Sequence, residues 1–485
     1  MKVAFLNPPF KERFSRSQRS PGVTSGGTLY YPFWLAYAAG ATEKAGHEIL
    51  LIDAPADGLS KEETLQKIKD FNPSLAVLDT STPSIYNDVK IADEIKKALP
   101  GCYTVLAGTH PSALPEETLN LSSYPDAVAI GEYDYTVRDL ADTLAKNEAV
   151  SGVAGLAFRD KDKIIITEPR EKIENLDELP FVTSIYKRFL NHKNYFFAAA
   201  QYPMVMIITG RGCPFRCFFC VYPQTFHSRR YRARSPENVV AEFEYIIENF
   251  PDVKEIGVED DCFTANPGRV RDICRLLIER KVKIGWYCNV RGDVDYETLK
   301  LMRVAGCRLV TVGFESANQE VLELMNKSEK VEKYYKFAKD AHRVGIMVHG
   351  CIMCGTPGDS REIQEENYRF AVKINCDSMQ FYPLMVYPGT EAYQWAKEKG
   401  FLTTEDYSKW NKEDGSHNCV SDMEDMTADE MVALCERNVR RYHLRPRYLI
   451  MKLLQAFRNP KEGQRSLKSG WILIKKIIRG NSDAK

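Results

Sequence analysis

An alternation of strand and helix signals runs through the first 400 residues and constrains the fold more than any other feature. Over residues 1–150, short β-rich runs fall at 2–6, 48–53, 75–78, 103–107 and 127–130, with helical patterns between them at 34–44, 61–71, 86–99, 115–121 and 136–146. Parallel strands need crossover connections, and helices of this length supply them. Five such units predict a parallel sheet covered on both faces. Ligands of such sheets lie beyond the C-terminal strand ends. Those ends carry Asn7-Pro-Pro, Asp79-Thr80-Ser81-Thr82-Pro, Gly108-Thr-His110-Pro and Gly131-Glu132. Small, kinked and polar residues there suit a ligand crevice.

Residues 151–200 read as a small strand pair (154–159 and 163–167) and a connector, with Leu176-Asp-Glu-Leu-Pro180 leading into a new unit. Over 201–400 the alternation resumes. Strands are expected at 204–209, 255–258, 283–287, 309–312, 347–352 and 379–386, and helices at 236–249, 269–280, 296–305 and 360–373. Six such units predict a partial barrel. Unusual residues recur just past each strand: three cysteines, Glu259-Asp260-Asp261, Asn289-Val-Arg291, Gly313-Phe-Glu315-Ser316, Gly355-Thr-Pro-Gly358 and Tyr387-Pro-Gly-Thr390. In barrels the chemistry sits on that face. Residues 401–485 read as mainly helical.

The cysteines are Cys213, Cys217 and Cys220, spaced C-x3-C-x2-C with no fourth nearby. Thiolates are soft ligands that favour iron–sulfur clusters, zinc and copper(I). Three thiolates leave one iron of a cubane open to bind and activate a small molecule. The alternative is a zinc knuckle completed by His227, since structural zinc takes four ligands. Cys351 and Cys354 form a second C-x2-C, but on a strand i and i+3 face opposite sides. They are expected to be buried free thiols, and Cys262, Cys288 and Cys307 packing residues. His47 reads as a turn residue before a strand. His110 either touches a ligand at the crevice or caps a loop.

Lys+Arg and Asp+Glu both number 66, which argues against nucleic acid as a partner. Residues 437–479 break the balance with 13 Lys/Arg against one acid, Glu462. That run is either an ordinary solvated helical face or, given Tyr448-Leu-Ile-Met451 and Trp471-Ile-Leu-Ile474, a surface for anionic membrane or a lipid substrate. The N-terminus reads as strand and turn, not as a secretory signal. No run of about 20 apolar residues predicts a spanning helix. A reducing cytoplasm with most of the 13 cysteines free is therefore expected, with peripheral contact at the inner membrane surface as the extension of the tail reading.

Phe219 stands before the last cysteine, and Cys213–Cys220 with it resembles the signature of radical S-adenosylmethionine (SAM) enzymes. Gly313-Phe-Glu-Ser316, Gly355-Thr-Pro-Gly358 and Pro388-Gly-Thr390 match recurrent segments of that family in order and position. The N-terminal half resembles the cobalamin-binding domain often fused to it, through Gly108-Thr-His-Pro111, Ala113-Leu-Pro-Glu116 and Ala129-Ile-Gly-Glu132. Within this class the chain looks most like the hopanoid-biosynthesis branch, through Tyr31-Pro-Phe-Trp-Leu-Ala-Tyr37, Phe181-Val-Thr-Ser-Ile-Tyr-Lys187 and Arg216–Gln224.

The resemblance implies an α/β chain of four parts. They are a flavodoxin- or Rossmann-like cobalamin domain (1–150), a connector (151–200), a partial (β/α)6 TIM-type radical SAM barrel (201–400) and a helical basic C-terminal region (401–485). It implies a [4Fe–4S] cluster on Cys213, Cys217 and Cys220, whose open iron chelates SAM. Reductive cleavage then yields a radical that abstracts hydrogen from an unactivated carbon; the protein orients the cofactors and excludes water. Phe219, Glu259, Asp260, Asp261, Arg291, Glu315 and Ser316 are carried over as the SAM set, Arg291 being an apt carboxylate partner. Asn7, Thr80, Ser81, Thr82, Gly108, His110, Gly131 and Glu132 are carried over as the cobalamin set. Methyl transfer to a lipid or secondary metabolite is the leading reaction. Radical rearrangement or ring contraction on a hopanoid-type lipid, without net methylation, is the alternative, and a non-catalytic cobalamin sensor is the alternative of another class. A flavodoxin or ferredoxin is the implied electron donor.

One motif misleads. Histidine-ligated cobalamin domains carry D-x-H-x-x-G, and the chain contains Asp340-Ala-His342-Arg-Val-Gly345. It falls in the barrel half, where Gly345 reads as a helix stop. The corresponding N-terminal position holds Asn7-Pro-Pro-Phe10 without histidine. Cobalamin is therefore expected to bind without a protein histidine on cobalt.

Overall fold

The computed structural model describes residues 1–458, apart from Ser25 and Asp162, together with Glu462, Gly463 and Arg465. The tail stretch 471–479 lies outside the described residues.

Seven strands form the first sheet: β1 (Lys2–Asn7), β2 (Glu48–Asp53), β3 (Leu75–Thr80), β4 (Tyr103–Gly108), β5 (Ala127–Ala129), β6 (Leu156–Asp160) and β7 (Lys163–Ile166). Their order is β2-β1-β3-β4-β5-β6-β7, with the first five parallel. Every residue of β3 is buried, as expected of a strand covered on both faces. The topological switch lies between β1 and β3, and beyond it opens the crevice. The strand pair expected near 154–167 joins this sheet instead of standing apart. β6 runs antiparallel to β5, with Ala129 opposite Leu156. The reason is burial: Ala127, Val128 and Ala129 have no exposed surface and need a neighbour on each side.

A two-stranded ribbon of β9 (Gly210–Arg211) and β10 (Arg232–Ala233) follows β8 (Met204–Ile207). The second sheet joins β8 to β11 (Glu255–Val258), β12 (Gly285–Val290), β13 (Cys307–Glu315), β14 (Met347–Cys354) and β15 (Ser378–Pro383). Its order is β15-β14-β13-β12-β11-β8, all parallel, which is the partial (β/α)6 barrel. Side-chain caps start six of its helices: Ser235, Asn266, Asp295, Asn318, Ser360 and Thr390 each accept a backbone N–H of the first turn. Such a cap is worth about 1 kcal/mol and fixes where each strand-end loop stops. The helix Val331–Val344 ends at Gly345, so the Asp340–His342–Gly345 string is a helix terminus.

Residues 401–426 are largely irregular. The helix Ala428–His443, started by a capping box of Thr427 and Glu430, packs on β15, and the helix Pro446–Arg458 follows. Among the described residues no helix is long and apolar enough to cross a membrane.

A strap over residues 8–32 joins the two sheets. Arg16 is fully buried in the switch-point crevice, 2.5 Å from Asp88, and also donates to Asn7 Oδ1 at 2.7 Å and to the Pro8 carbonyl at 2.8 Å. Isolated bridges stitch Val23 to Ser416 and Leu29 to Phe196.

Candidate active site

The cysteine loop spans the gap between β9 and β10, so the ribbon closes it at its base. Gly212 has φ +80°, and a Cβ there would lie 2.2 Å from the Arg230 carbonyl. Only glycine fits that corner. The backbone N–H of Gly212 donates to Asp261 Oδ2 at 3.1 Å, and Gln224 Nε2 donates to the carbonyls of Phe218 and Cys220 at 2.9 Å each. Phe218 N–H reaches the Met325 carbonyl at 3.1 Å. The loop is thus shaped by the chain before any metal binds.

Arginines bolt the ribbon to the first domain. Arg211 donates to both Asp134 oxygens at 2.7 and 3.0 Å, and Arg232 pairs with Glu132, all of them buried. Glu132 of the expected cobalamin set is therefore held by Arg232 and Arg211. A buried Arg–carboxylate fork fixes geometry more than it adds stability.

The three thiols interact electrostatically with one another, and burial pushes all of them up, Cys213 to about 11. Binding iron requires the thiolate, so cations around the loop matter. Arg19 faces Cys213 and Cys220; Lys327 and Arg291 face Cys217. Among the described residues, no three His, Cys, Asp or Glu side chains converge on one point fit for a single ion. His227 turns its Nδ1 to Asp261 Oδ2 at 2.9 Å. The geometry does not preform a zinc knuckle. A cubane spreads its ligands over three irons and asks for no such convergence, so the loop fits it.

The strand-end residues divide by role. Asp260 Oδ1 and Oδ2 take the Thr209 N–H at 2.5 Å and its hydroxyl at 2.7 Å. Asp261 holds Gly212 and His227; burial would raise its pKa, but His227 and Arg19 hold it below the ordinary carboxylate value. These two acids support the cysteine loop. Glu259 accepts from Asn289 Nδ2 at 2.9 Å, and burial raises its pKa. Glu315, at φ +62°, accepts from the Tyr382 hydroxyl at 2.9 Å and is likewise raised by burial. The Arg291 guanidinium lies 3.6 Å from the centre of the Phe215 ring and donates to the Ser328 carbonyl at 3.3 Å. Ser316 Oγ accepts the Asn318 N–H at 3.1 Å and so serves the turn. Phe219 is half-buried, edge-on to Phe218. Cys351 is also within electrostatic reach of Glu315 and Lys327.

At the other end, Asn7 donates to Asp53 Oδ1 at 2.7 Å, Ser81 meets Ser84 at 2.9 Å and Thr82 meets His110 Nδ1 at 3.2 Å. Gly108 has φ +120°, and a Cβ would lie 2.1 Å from the Thr80 carbonyl. Gly131 takes the Ser112 hydroxyl oxygen on its N–H at 2.8 Å. Asp79 Oδ2, Thr80 Oγ1 and His110 Nε2 are buried with no hydrogen-bond partner among the described residues. Orphaned polar atoms cost free energy unless a ligand satisfies them. Three of them at neighbouring strand ends fit a large polar ligand such as cobalamin. Burial pushes the His110 imidazole down to about 3, so it stands neutral. His47 bridges the N-terminal amine and Asp142.

Arg19, Lys327, Tyr382 and Asp79 were not legible as site residues. Asp79 alone had a signal, its place in the Asp79–Pro83 strand end.

This architecture and this cysteine loop define a radical SAM enzyme with a cobalamin-binding domain. Residues 207–371 match the Radical SAM superfamily and residues 19–141 the B12 binding domain. The cofactors are a [4Fe–4S] cluster, SAM and cobalamin. Among curated relatives, "Uncharacterized methyltransferase PH0819" of Pyrococcus horikoshii is 29% identical over 481 residues, covering 99% of this chain and 98% of that one. The anaerobic magnesium-protoporphyrin IX monomethyl ester cyclase of Cereibacter sphaeroides is 29% identical over 425 residues, covering 85% of this chain and 66% of that one. The cytidylyl-2-hydroxyethylphosphonate methyltransferase of Streptomyces wedmorensis is 26% identical over 78% of this chain and 79% of that one. Among solved structures, the cobalamin-dependent radical enzyme OxsB matches with TM-score 0.70 at 16% identity, over 99% of this chain and 75% of that one. The methyltransferase TsrM of Kitasatospora setae matches with TM-score 0.67 at 17% identity, over 83% and 77%. These two share the fold.

Proposed function

We propose that the protein is a cobalamin-dependent radical SAM methyltransferase acting on an unactivated carbon of a lipid or secondary metabolite. The observation that carries this reading is the bolting of the cysteine loop, through Arg211–Asp134 and Arg232–Glu132, to the strand ends of the cobalamin domain. The full-length likeness to a protein named as a methyltransferase supports it. When bound, the cluster and SAM supply a hydrogen-abstracting radical and cobalamin a transferable methyl group. The chain's part is to hold and orient. Cys213, Cys217 and Cys220 hold the cluster. Phe219, Glu259, Arg291 and Glu315 line the SAM side, while Asp260, Asp261 and Ser316 shape its loops. Thr80, Ser81, Thr82, Gly108, His110 and Gly131 form the cobalamin end, with Asn7 and Glu132 as its framework. No protein histidine ligates the cobalt. The functional units are 1–150, 151–200, 201–400 and 401–485, with β6 and β7 attached to the first sheet. A flavodoxin or ferredoxin serves as electron donor in the cytoplasm.

The likeness to a protein named as a cyclase favours a second reading, ring formation or rearrangement without net methylation; a hopanoid-type lipid is the substrate we propose for that reading. Anaerobic incubation of the reconstituted protein with SAM, reductant and substrate extracts separates the readings. Methyl transfer yields S-adenosylhomocysteine together with 5′-deoxyadenosine; rearrangement yields only 5′-deoxyadenosine. Absence of both refutes catalysis and leaves a cobalamin sensor.

Peripheral membrane contact belongs to the same reading. On the helix Pro446–Arg458, Leu449, Ile450, Leu453, Leu454 and Phe457 are 51–77% exposed along one face. Residues 437–458 carry seven Lys/Arg and no acid. A second copy would bring like charges together, so an anionic bilayer is the fitting occupant. The double substitution Leu453→Glu with Phe457→Ser should lower pelleting with phosphatidylglycerol vesicles severalfold; equal pelleting refutes the contact.

A further inference from the structure

Arg19 belongs to the first domain's strap, yet its guanidinium lies in the second domain's site. Its Nη2 donates to the Asp260 carbonyl at 2.8 Å and stands 3.8 Å from Asp261 Oδ1. The backbone around it is pinned on both sides. Ser17's carbonyl takes the Tyr222 hydroxyl at 2.5 Å, Ser20 Oγ meets the Tyr387 hydroxyl at 2.9 Å, and His417 Nε2 lies 2.8 Å from the Ser20 carbonyl.

The contrast with its neighbours is informative. Arg16, Arg211 and Arg232 each sit in a tight, buried carboxylate pair, as structural arginines do. Arg19 has one short hydrogen bond, to a carbonyl, and its side chain is 35% exposed. Burial works against its charge, but Asp261, Cys220 and Glu259 hold the guanidinium firmly protonated. It is the cation whose field falls on both Cys213 and Cys220; Cys217 has Lys327 and Arg291 instead. Glu259 and Asp261 add negative charge to the same corner. A cluster held there by three thiolates becomes more negative still when it accepts an electron. A cation fixed on Asp260 and Asp261, the acids that support this loop, favours that reduced state.

We propose that Arg19 is a positioning residue that sets the reduction potential of the cluster on Cys213, Cys217 and Cys220, so that the cobalamin domain tunes the redox step of the barrel. This rests on the cluster assignment, which the iron content of the parent protein tests separately.

The experiment is a redox titration of the full chain, anaerobically reconstituted and followed by electron paramagnetic resonance of the reduced cluster. In Arg19→Gln, the reduced-to-oxidised ratio at a fixed potential should fall at least tenfold, a shift of about 59 mV to lower potential for a one-electron couple. Iron and sulfide should stay at the parental level. Arg19→Lys, which keeps the charge, should stay within threefold of the parent. Loss of iron in Arg19→Gln alone would mark a role in holding the cluster and overturn a role in setting its potential. Arg19→Gln titrating with the parent overturns the proposal. So does equal loss of iron in both variants, which would mark a role of shape alone. A parent that binds no cluster overturns the underlying assignment instead.

Discussion

Asp79 stands one residue before the end of β3, at the cobalamin end, 4% exposed, with Oδ2 lacking a partner among the described residues. Burial pushes its carboxyl up to about 7 from the ordinary 3.8; Arg16 opposes the shift, and Asp88 and Asp53 add to it. Folding therefore favours the protonated form. That contribution is complete below 3.8 and is lost as pH climbs to about 7, at about 1.36 kcal/mol per pH unit. From pH 5 to pH 7 the parent thus loses on the order of 2.7 kcal/mol through this group. Asp79→Asn cannot ionise. It leaves an amide at the orphaned position, a fixed cost of about 1–2 kcal/mol at every pH. The stability of the variant relative to the parent should therefore rise by roughly 2–3 kcal/mol between pH 5 and 7 and level off above pH 8. The assay is the urea midpoint of the first unfolding transition of the apo chain at pH 5, 6, 7 and 8, with far-UV circular dichroism as the signal. Taking the difference between variant and parent cancels the titrating groups that do not interact with Asp79. A difference that stays flat across that range refutes the claim that Asp79 is buried without adequate compensation.

Other perturbations follow the same logic. Cys217→Ala should abolish cluster binding and turnover while cobalamin binding persists, read by iron content and the visible spectrum of bound cobalamin. Gly108→Ala forces a Cβ to within 2.1 Å of the Thr80 carbonyl, so it should lower cobalamin affinity at least tenfold by equilibrium dialysis. Asp134→Leu leaves Arg211 buried without its fork and should cost about 3–5 kcal/mol by denaturant unfolding. Adding Arg211→Met to it should recover most of that loss, because a buried pair replaced as a unit is nearly neutral.

Both sheets were readable because their strands are apolar runs closed by kinked, polar ends. The expected β1, β3 and β4 lie within a residue or two of Lys2–Asn7, Leu75–Thr80 and Tyr103–Gly108. β13 runs from Cys307 to Glu315, longer than the expected 309–312, because its ends pair with Trp286 of β12 and Ile352 of β14, partners that no local pattern announces. The cysteine triad was visible in its spacing, which by itself left the zinc knuckle open. Its cations were not: Lys327 lies 107 residues beyond Cys220, and Arg19 reaches it from the other domain. Strap residues 8–32 carry no periodicity, so their path across both sheets could not be read. Nor could the spending of Asp260 and Asp261 on Thr209, Gly212 and His227, because a strand-end carboxylate looks the same whether it meets a ligand or a backbone amide.

The stitched strap has a consequence for traffic into the crevice. Val23 bridges Ser416, Gly22 sits against Asn411 and His417, and Arg16 is locked under the opposite sheet. Early and late parts of the chain are thus tied over one seam, and any motion that parts the halves there has to break these ties first.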